Sequence, residues 1–337
     1  MNGGTWTWKL VDPDGDLNDD DSDFVRVVGI GRNGGSTIVQ SVTAYPTGQP
    51  LPVLEHALHG DGTITIDLEV TLTTDRSVSS NNWINGPPSS QVVGDADTTS
   101  GATVPVTGSN TSGINPRRMP GSSVFEYYQS RGTTFPVTAL PLMGGTRILE
   151  ETVLSPANNA FGSRSACGIY VIDCQNATIR IRNCRIAGTL LLLNPGAGSS
   201  ASDSILWEPT LPGFPALLVS GSFTLDLSTA TLSETTLSTN FNPTGTPFRD
   251  TSDADTVDVY STGIHGVVYI SGDLTIPPTA QSTMTTGSVI VGGVTALQSD
   301  AVFKYGAASW AYPPPGFASG NPMKPVSGSW QRMPVSP

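Results

Sequence analysis

The sequence predicts a mainly β fold: a parallel β-helix (β-solenoid) with an N-terminal antiparallel β meander and one or two short helices. Three observations carry this. Short β-branched runs are closed repeatedly by Gly or Gly-Asp, as in Ile264-His265-Gly266-Val267-Val268-Tyr269-Ile270-Ser271-Gly272-Asp273-Leu274 and Gly287-Ser288-Val289-Ile290-Val291-Gly292-Gly293. Such runs are too short and too often punctuated for helices, and each suits one rung that buries Val, Ile and Leu and turns on a small residue. Finally, Gly (37) and Pro (27) are abundant in the 337 residues while only 13% are charged, the composition of a turn-rich envelope β protein.

Residues 1–60 read as the meander plus a short helix. Trp6-Thr7-Trp8-Lys9-Leu10-Val11 alternates, an acidic loop follows, and Phe24 to Gly31 returns. Gly34-Gly35 turns the chain into Thr37 to Val42. Pro50 to Leu58 reads as the helix, with Leu51, Leu54 and Leu58 on one face and Gly60 as its stop. Residues 61–312 read as the solenoid. Its entry, Thr63 to Leu72, alternates strictly, and Trp83, Ile84, Val92, Val93, Val104 and Val106 place short rungs within the Ser/Asn/Gly/Thr-rich stretch that follows. A helix near 122–131 is capped by Ser122 or Ser123 and stopped by Gly132. The clearest rungs lie between 145 and 240, with Gln175-Asn176 and Asn194-Pro195-Gly196 as turns, and the stretch from Gly263 to Phe317 reads as the coil's closing turns. Residues 240–260 read as a polar surface loop, and 313–337 as an irregular Pro-rich tail.

A net charge of −12 with only three lysines, Lys9, Lys304 and Lys324, repels phosphate backbones and excludes nucleic acid as a partner. It equally disfavours adhesion to anionic lipid through basic patches. No apolar window reaches membrane-spanning length, and no signal peptide opens the chain. Met1-Asn2-Gly3-Gly4 fits an exported chain whose leader or anchor was trimmed, and equally a cytosolic one. The three cysteines, Cys167, Cys174 and Cys184, lack a CxxC pair and read as small rung residues, with room for one bridge between neighbouring turns.

The strongest ligand candidate is the acidic loop. Read as twelve residues from Asp12, it offers oxygens from Asp12, Asp14, Asp16, Asn18, Asp20 and Asp23, a set suited to Ca²⁺. Seven crowded carboxylates repel one another without a counter-ion. Gly15 at position four, a final Asp and flanking strands separate the loop from an EF-hand; its bland alternative is a solvated Asp-rich turn. A second acidic group, Asp250, Asp253, Asp255 and Asp258, reads as a solvated loop that can also hold a cation. His56 and His59 have H-x-x-H spacing without a third ligand, and read as packed or surface histidines; His265 reads as structural. No GxSxG is present, and Asp173, Asp226, Asp273, Arg180, Arg182 and Arg185 read as rung and corner residues rather than a catalytic pair. Trp207 with Glu208, and Tyr305, Trp310 and Tyr312, offer sugar-stacking surfaces or, more commonly, cap loops and solenoid ends.

Together, the Ile264–Leu274 and Gly287–Gly293 runs, Pro313-Pro314-Pro315-Gly316-Phe317 and Gly328-Ser329-Trp330-Gln331-Arg332 resemble the C-terminal region of PilX-like type IV pilus assembly or minor-pilin proteins of planctomycete-type bacteria. The N-terminal hairpin with its Asp-rich turn, Ala57-Leu58-His59-Gly60, Phe125-Glu126-Tyr127-Tyr128 and the rungs from Ile169 to Gly196 fit the same pattern. The resemblance implies an exported, non-enzymatic β-helical head, anchored by a pilin helix encoded upstream, in the periplasm or outside the cell. It implies pilus or pseudopilus subunits, or other envelope proteins, as partners. The expected function is therefore structural or adhesive. The alternatives are a secreted carbohydrate-active or glycan-binding β-helix that takes a surface glycan, and a self-polymerising cytoskeletal solenoid.

Overall fold

A rung hides its inward side chains only when another rung lies above and below it, so the stacking order defines a solenoid. In the computed structural model, which describes residues 4–12, 23–211, 213–320 and 322–333, that order departs from the order of the chain. One inward ladder runs Tyr170, Leu190, Leu217, Val268, Val289, Leu58, Val78 and Ala96, each paired in parallel with the next. Ala96 then pairs with Asn110, and Thr133 pairs with Tyr170 at the other end. The coil is thus built in two halves. Residues 133–305 wind toward its middle, residues 58–112 continue from there, and Leu58–Gly60, Ile64–Ile66 and Leu72–Thr74 form a seam against Val289–Val291, Thr295–Leu297 and Ala301–Phe303. The stretch near Gly263 expected to close the coil lies in its interior instead.

Each coil of about twenty residues has three faces. On the second, Ile181, Ala201 and Leu225 stack; on the third, Leu154, Ile186, Trp207, Ile264, Thr285 and Phe303. All of these side chains are buried, and the apolar ones share one continuous core. The predicted turns at Gln175-Asn176 and Asn194 have left-handed backbone, which the short amide of Asn176 and Asn194 tolerates. Gly287 turns a long strand from one face to the next at φ +149°, where a Cβ would run into the Gly266 carbonyl oxygen of the rung beside it.

The helix expected over 50–58 is a single 3-10 turn, Pro52–Glu55, followed by the strand Leu58–Gly60. Leu51, Leu54 and Leu58 are all fully buried, but the strand pairing at the seam satisfies Leu58's backbone and ends the helical run. The second predicted helix forms at Ser123–Arg131.

The chain divides into two units: residues 1–51, 120–127 and 313–337, and residues 52–119 and 128–312, the latter holding the solenoid. In the smaller unit Thr5–Val11, Val25–Asn33 and Ser36–Pro46 form the expected antiparallel meander. The tail read as irregular contributes strands: Met323–Pro325 and Gln331–Met333 both pair with Ser36–Pro46, and Ala318–Ser319 pairs with Gln49–Pro50. Phe24 stacks on Tyr127 at 4.7 Å between ring centres, with Tyr45 beside both. Among the described residues, no helix is long and apolar enough to cross a membrane.

Candidate functional site

Between the strands Phe223–Leu227 and Gly263–Ile270, where a plain coil needs a few residues, the chain inserts residues 228–262. This polar stretch, expected as a solvated loop, has a core of its own. Leu232, Phe241 and Tyr260 are buried against Val153 and Leu206, which point outward from the solenoid's third face, with Leu237 and Phe248 packed alongside. Two charged side chains organise it. Glu234, fully buried, accepts hydrogen bonds from the backbone N–H groups of Phe241 and Asp258 and from the Tyr260 hydroxyl (2.9 Å). Burial and this carboxylate push the Tyr260 hydroxyl pKa far up. Arg185, 2% exposed, donates to the carbonyl oxygens of Phe241 (2.8 Å), Thr246 (2.9 Å) and Pro247 (2.7 Å), and its guanidinium lies 3.5 Å from Glu208. A buried arginine is tolerable when its donors are engaged, and here the insert's backbone engages Nη1 and Nη2, while the buried Nε has no hydrogen-bond partner.

A cleft of about 480 Å³ opens beside this anchor, lined by Leu206, Glu208, Phe248, Arg249, Val259, Tyr260, Ser261 and His265. Glu208 and His265 follow the paired Trp207 and Ile264 on adjacent rungs. Burial lowers the His265 pKa, partly offset by Glu208, so the imidazole is neutral at pH 7. Phe248 packs edge-on against Tyr260 at 4.9 Å, and the guanidinium groups of Arg185 and Arg249 lie over its ring at 5.3 and 5.1 Å. Behind the cleft, carboxylate oxygens of Glu234, Asp255 and Asp258 lie within 4.8 Å of one another and can hold a cation. The Asn242 side-chain amide donates to Asp258 (2.9 Å) and Asp253 (3.2 Å).

Of the residues proposed from sequence for Ca²⁺, Asp14, Asp16, Asn18 and Asp20 lie outside the described residues. Asp12 and Asp23 are both buried, and the Ser123 hydroxyl donates to Asp23 at 2.9 Å. His56 and His59 come together with ring centres 6.2 Å apart, sealed from solvent rather than on the surface. Burial is the main cause that lowers their pKa values to about 4 and about 3; Arg117 adds to both, and His56 adds to the effect on His59. His56 Nδ1 lies 2.7 Å from the Ser77 hydroxyl, while neither His59 ring nitrogen has a hydrogen-bond partner.

Other candidates are absorbed by the fold. Asp173 accepts from Gln175 N–H, Asp226 from the Thr279 hydroxyl and Asp273 from Val294 N–H. Arg182 pairs with Glu150 at 2.6 Å, and Arg117 with Asp97 at 3.1 Å. Trp207, read as half of a stacking surface, is fully buried and its indole N–H donates to the Gly188 carbonyl oxygen, so it offers no face to a sugar. All three cysteines are free, which removes the bridge between turns; burial raises the Cys174 thiol to about 12 and Cys184 higher still. Sequence reasoning named Glu208 and His265 but missed Arg249, Phe248 and Tyr260. Phe248-Arg249-Asp250-Thr251 carries no Asn-Gly or Asp-Gly turn signal that would have marked the hairpin tip.

No family model and no curated protein matches the chain. Among solved structures it has a distant likeness to the competence-associated pilin ComZ from Thermus thermophilus, at 12% identity and a TM-score of 0.41, covering 98% of this chain and 84% of that one.

Proposed function

We propose that this chain is a non-enzymatic structural or adhesive protein of the cell envelope, the extracellular β-helical head of a PilX-like, pilus-associated protein. The observation that carries the non-enzymatic part is the use made of its ionisable residues. Those that a hydrolase or lyase would recruit serve as fasteners: Arg182 on Glu150, Arg117 on Asp97, Asp173 and Asp273 on backbone N–H groups at corners, and two histidines sealed and neutral. General acid–base chemistry needs groups free to reach a substrate, and the two histidines are sealed away from one while the ion pairs and corner carboxylates are engaged within the fold. The pilus-associated part rests on the sequence motifs, and pilus or pseudopilus subunits are the partners it implies. Immunogold labelling of native cells tests it: label on surface filaments or the outer envelope is expected, and label confined to the cytoplasm overturns it. Turnover of any glycan in a cleavage screen overturns the non-enzymatic part separately.

A further inference from the structure

The tip of the insert adopts a conformation its residues disfavour. Phe248 and Thr251 exchange both backbone hydrogen bonds (2.8 and 3.0 Å), closing a two-residue hairpin over Arg249 and Asp250. Both tip residues have positive φ, +48° and +65°. Asn-Gly fills such turns at low cost, whereas Arg does not. The strained residue is also the one whose guanidinium lies over Phe248 at the cleft wall, with Arg185 bonded to the carbonyl oxygens just before it. A costly turn that sets an arginine in the wall of a cleft also lined by a carboxylate points to a ligand.

We infer that the cleft between residues 248–261 and the Glu208–His265 edge of the solenoid binds a neutral saccharide, about the size of a disaccharide. Among the lining residues Glu208 and Arg249 bring one charge of each sign, and Glu208 is already paired with the buried Arg185, so the lining itself has no excess of either sign. Glu208 accepts hydrogen bonds, Arg249 donates, and Ser261 and His265 do both, which matches a ligand rich in hydroxyl groups. Leu206, Phe248 and Val259 supply the apolar wall on which the C–H face of a sugar ring rests. The inference deepens the adhesive part of the proposed function and rests on it only for where the glycan is met.

The test is titration of the purified chain, by saturation-transfer NMR and calorimetry, with cellobiose, maltose, lactose and chitobiose. A digalacturonate and triglycine serve as contrasts. Binding of at least one neutral disaccharide is expected, weakened tenfold or more in Glu208→Gln. The double variant Arg249→Asn/Asp250→Gly relaxes the turn, so it should lose binding while its melting temperature holds or rises. That combination separates a binding role from a structural one. Binding of none of the four, binding of only the uronate or the peptide, or wild-type affinity in both variants overturns the inference. Such a failure leaves the immunogold result untouched.

Discussion

The sealed histidine pair makes the stability of the solenoid depend on pH in a direction that can be worked out. His56 faces the Ser77 hydroxyl, Arg117, Asp97 and Arg76, and His59 faces His56 and Arg117. Their native pKa values, about 4 and about 3, lie below the ordinary 6.5. Below pH 6.5 the unfolded chain therefore binds protons that the native chain refuses. Stability rises with pH across this window and is lost as pH falls from 6.5 toward 4 and 3. At pH 5 each histidine removes about 2 kcal/mol, so the pair removes about 4 kcal/mol relative to pH 7, a large part of a typical domain's stability. Urea denaturation followed by circular dichroism at pH 7 and pH 5 measures the difference. His59→Leu removes one titrating group and replaces an imidazole lacking hydrogen bonds with an apolar side chain of similar size. That variant should show about half the pH effect and be no less stable than wild type at pH 7. An undiminished loss between pH 7 and pH 5 in His59→Leu, or no loss in wild type, refutes the argument.

Three further outcomes are expected. Leu58→Ala at the seam, where the side chain is fully buried, should cost about 2–5 kcal/mol in denaturant unfolding, whereas Leu68→Ala, 69% exposed, should cost under about 0.5 kcal/mol. If the Asp12–Asp23 loop binds Ca²⁺, adding the ion at a hundredfold excess over its dissociation constant to chelator-treated protein stabilises it by about 2.7 kcal/mol, and an unchanged melting temperature refutes the site. A thiol reagent should label Cys167, which is exposed, in the native protein and reach Cys174 and Cys184 only after unfolding; fast native labelling of either buried cysteine contradicts the rung packing.

The rungs were legible because inward Val, Ile and Leu recur between small turn residues, and that pattern is local. The stacking order was not, since nothing in Leu58-His59-Gly60 records that Val289-Ile290-Val291 will lie beside it. The helix expected at 50–58 shows the cost: its Leu spacing is real, yet a strand pairing from more than two hundred residues away prevails after one turn. The insert was hidden for a related reason. Its core residues Leu232, Phe241 and Tyr260 are sparse within a polar stretch, and the arginine that anchors it comes from a rung far earlier. The tail strands pair across almost the whole chain, and the prolines in and around them mask them as loop.

The seam also bears on how the two ends of the chain find each other. Ser36–Pro46 pairs with Met323–Pro325 and Gln331–Met333, so the small sheet must close a loop of roughly 280 residues, which costs a flexible chain about 5 kcal/mol in entropy. A coil wound straight from one end of the chain to the other would leave residues 58 and 305 at opposite ends of the stack. Here the two halves meet in the middle, and Ala307–Ala311 packs against the turn Pro52–Glu55, so the solenoid's entry and exit are neighbours. Once the seam has formed, the long loop is effectively a short one, and the tail strands add at little further entropic cost. The sheet's stability is therefore tied to the seam: Leu58→Ala should loosen the tail strands, far off in sequence, along with the rungs it touches. Faster hydrogen exchange at residues 323–333 in that variant is the expected sign, and unchanged exchange there would break the link between coil and sheet.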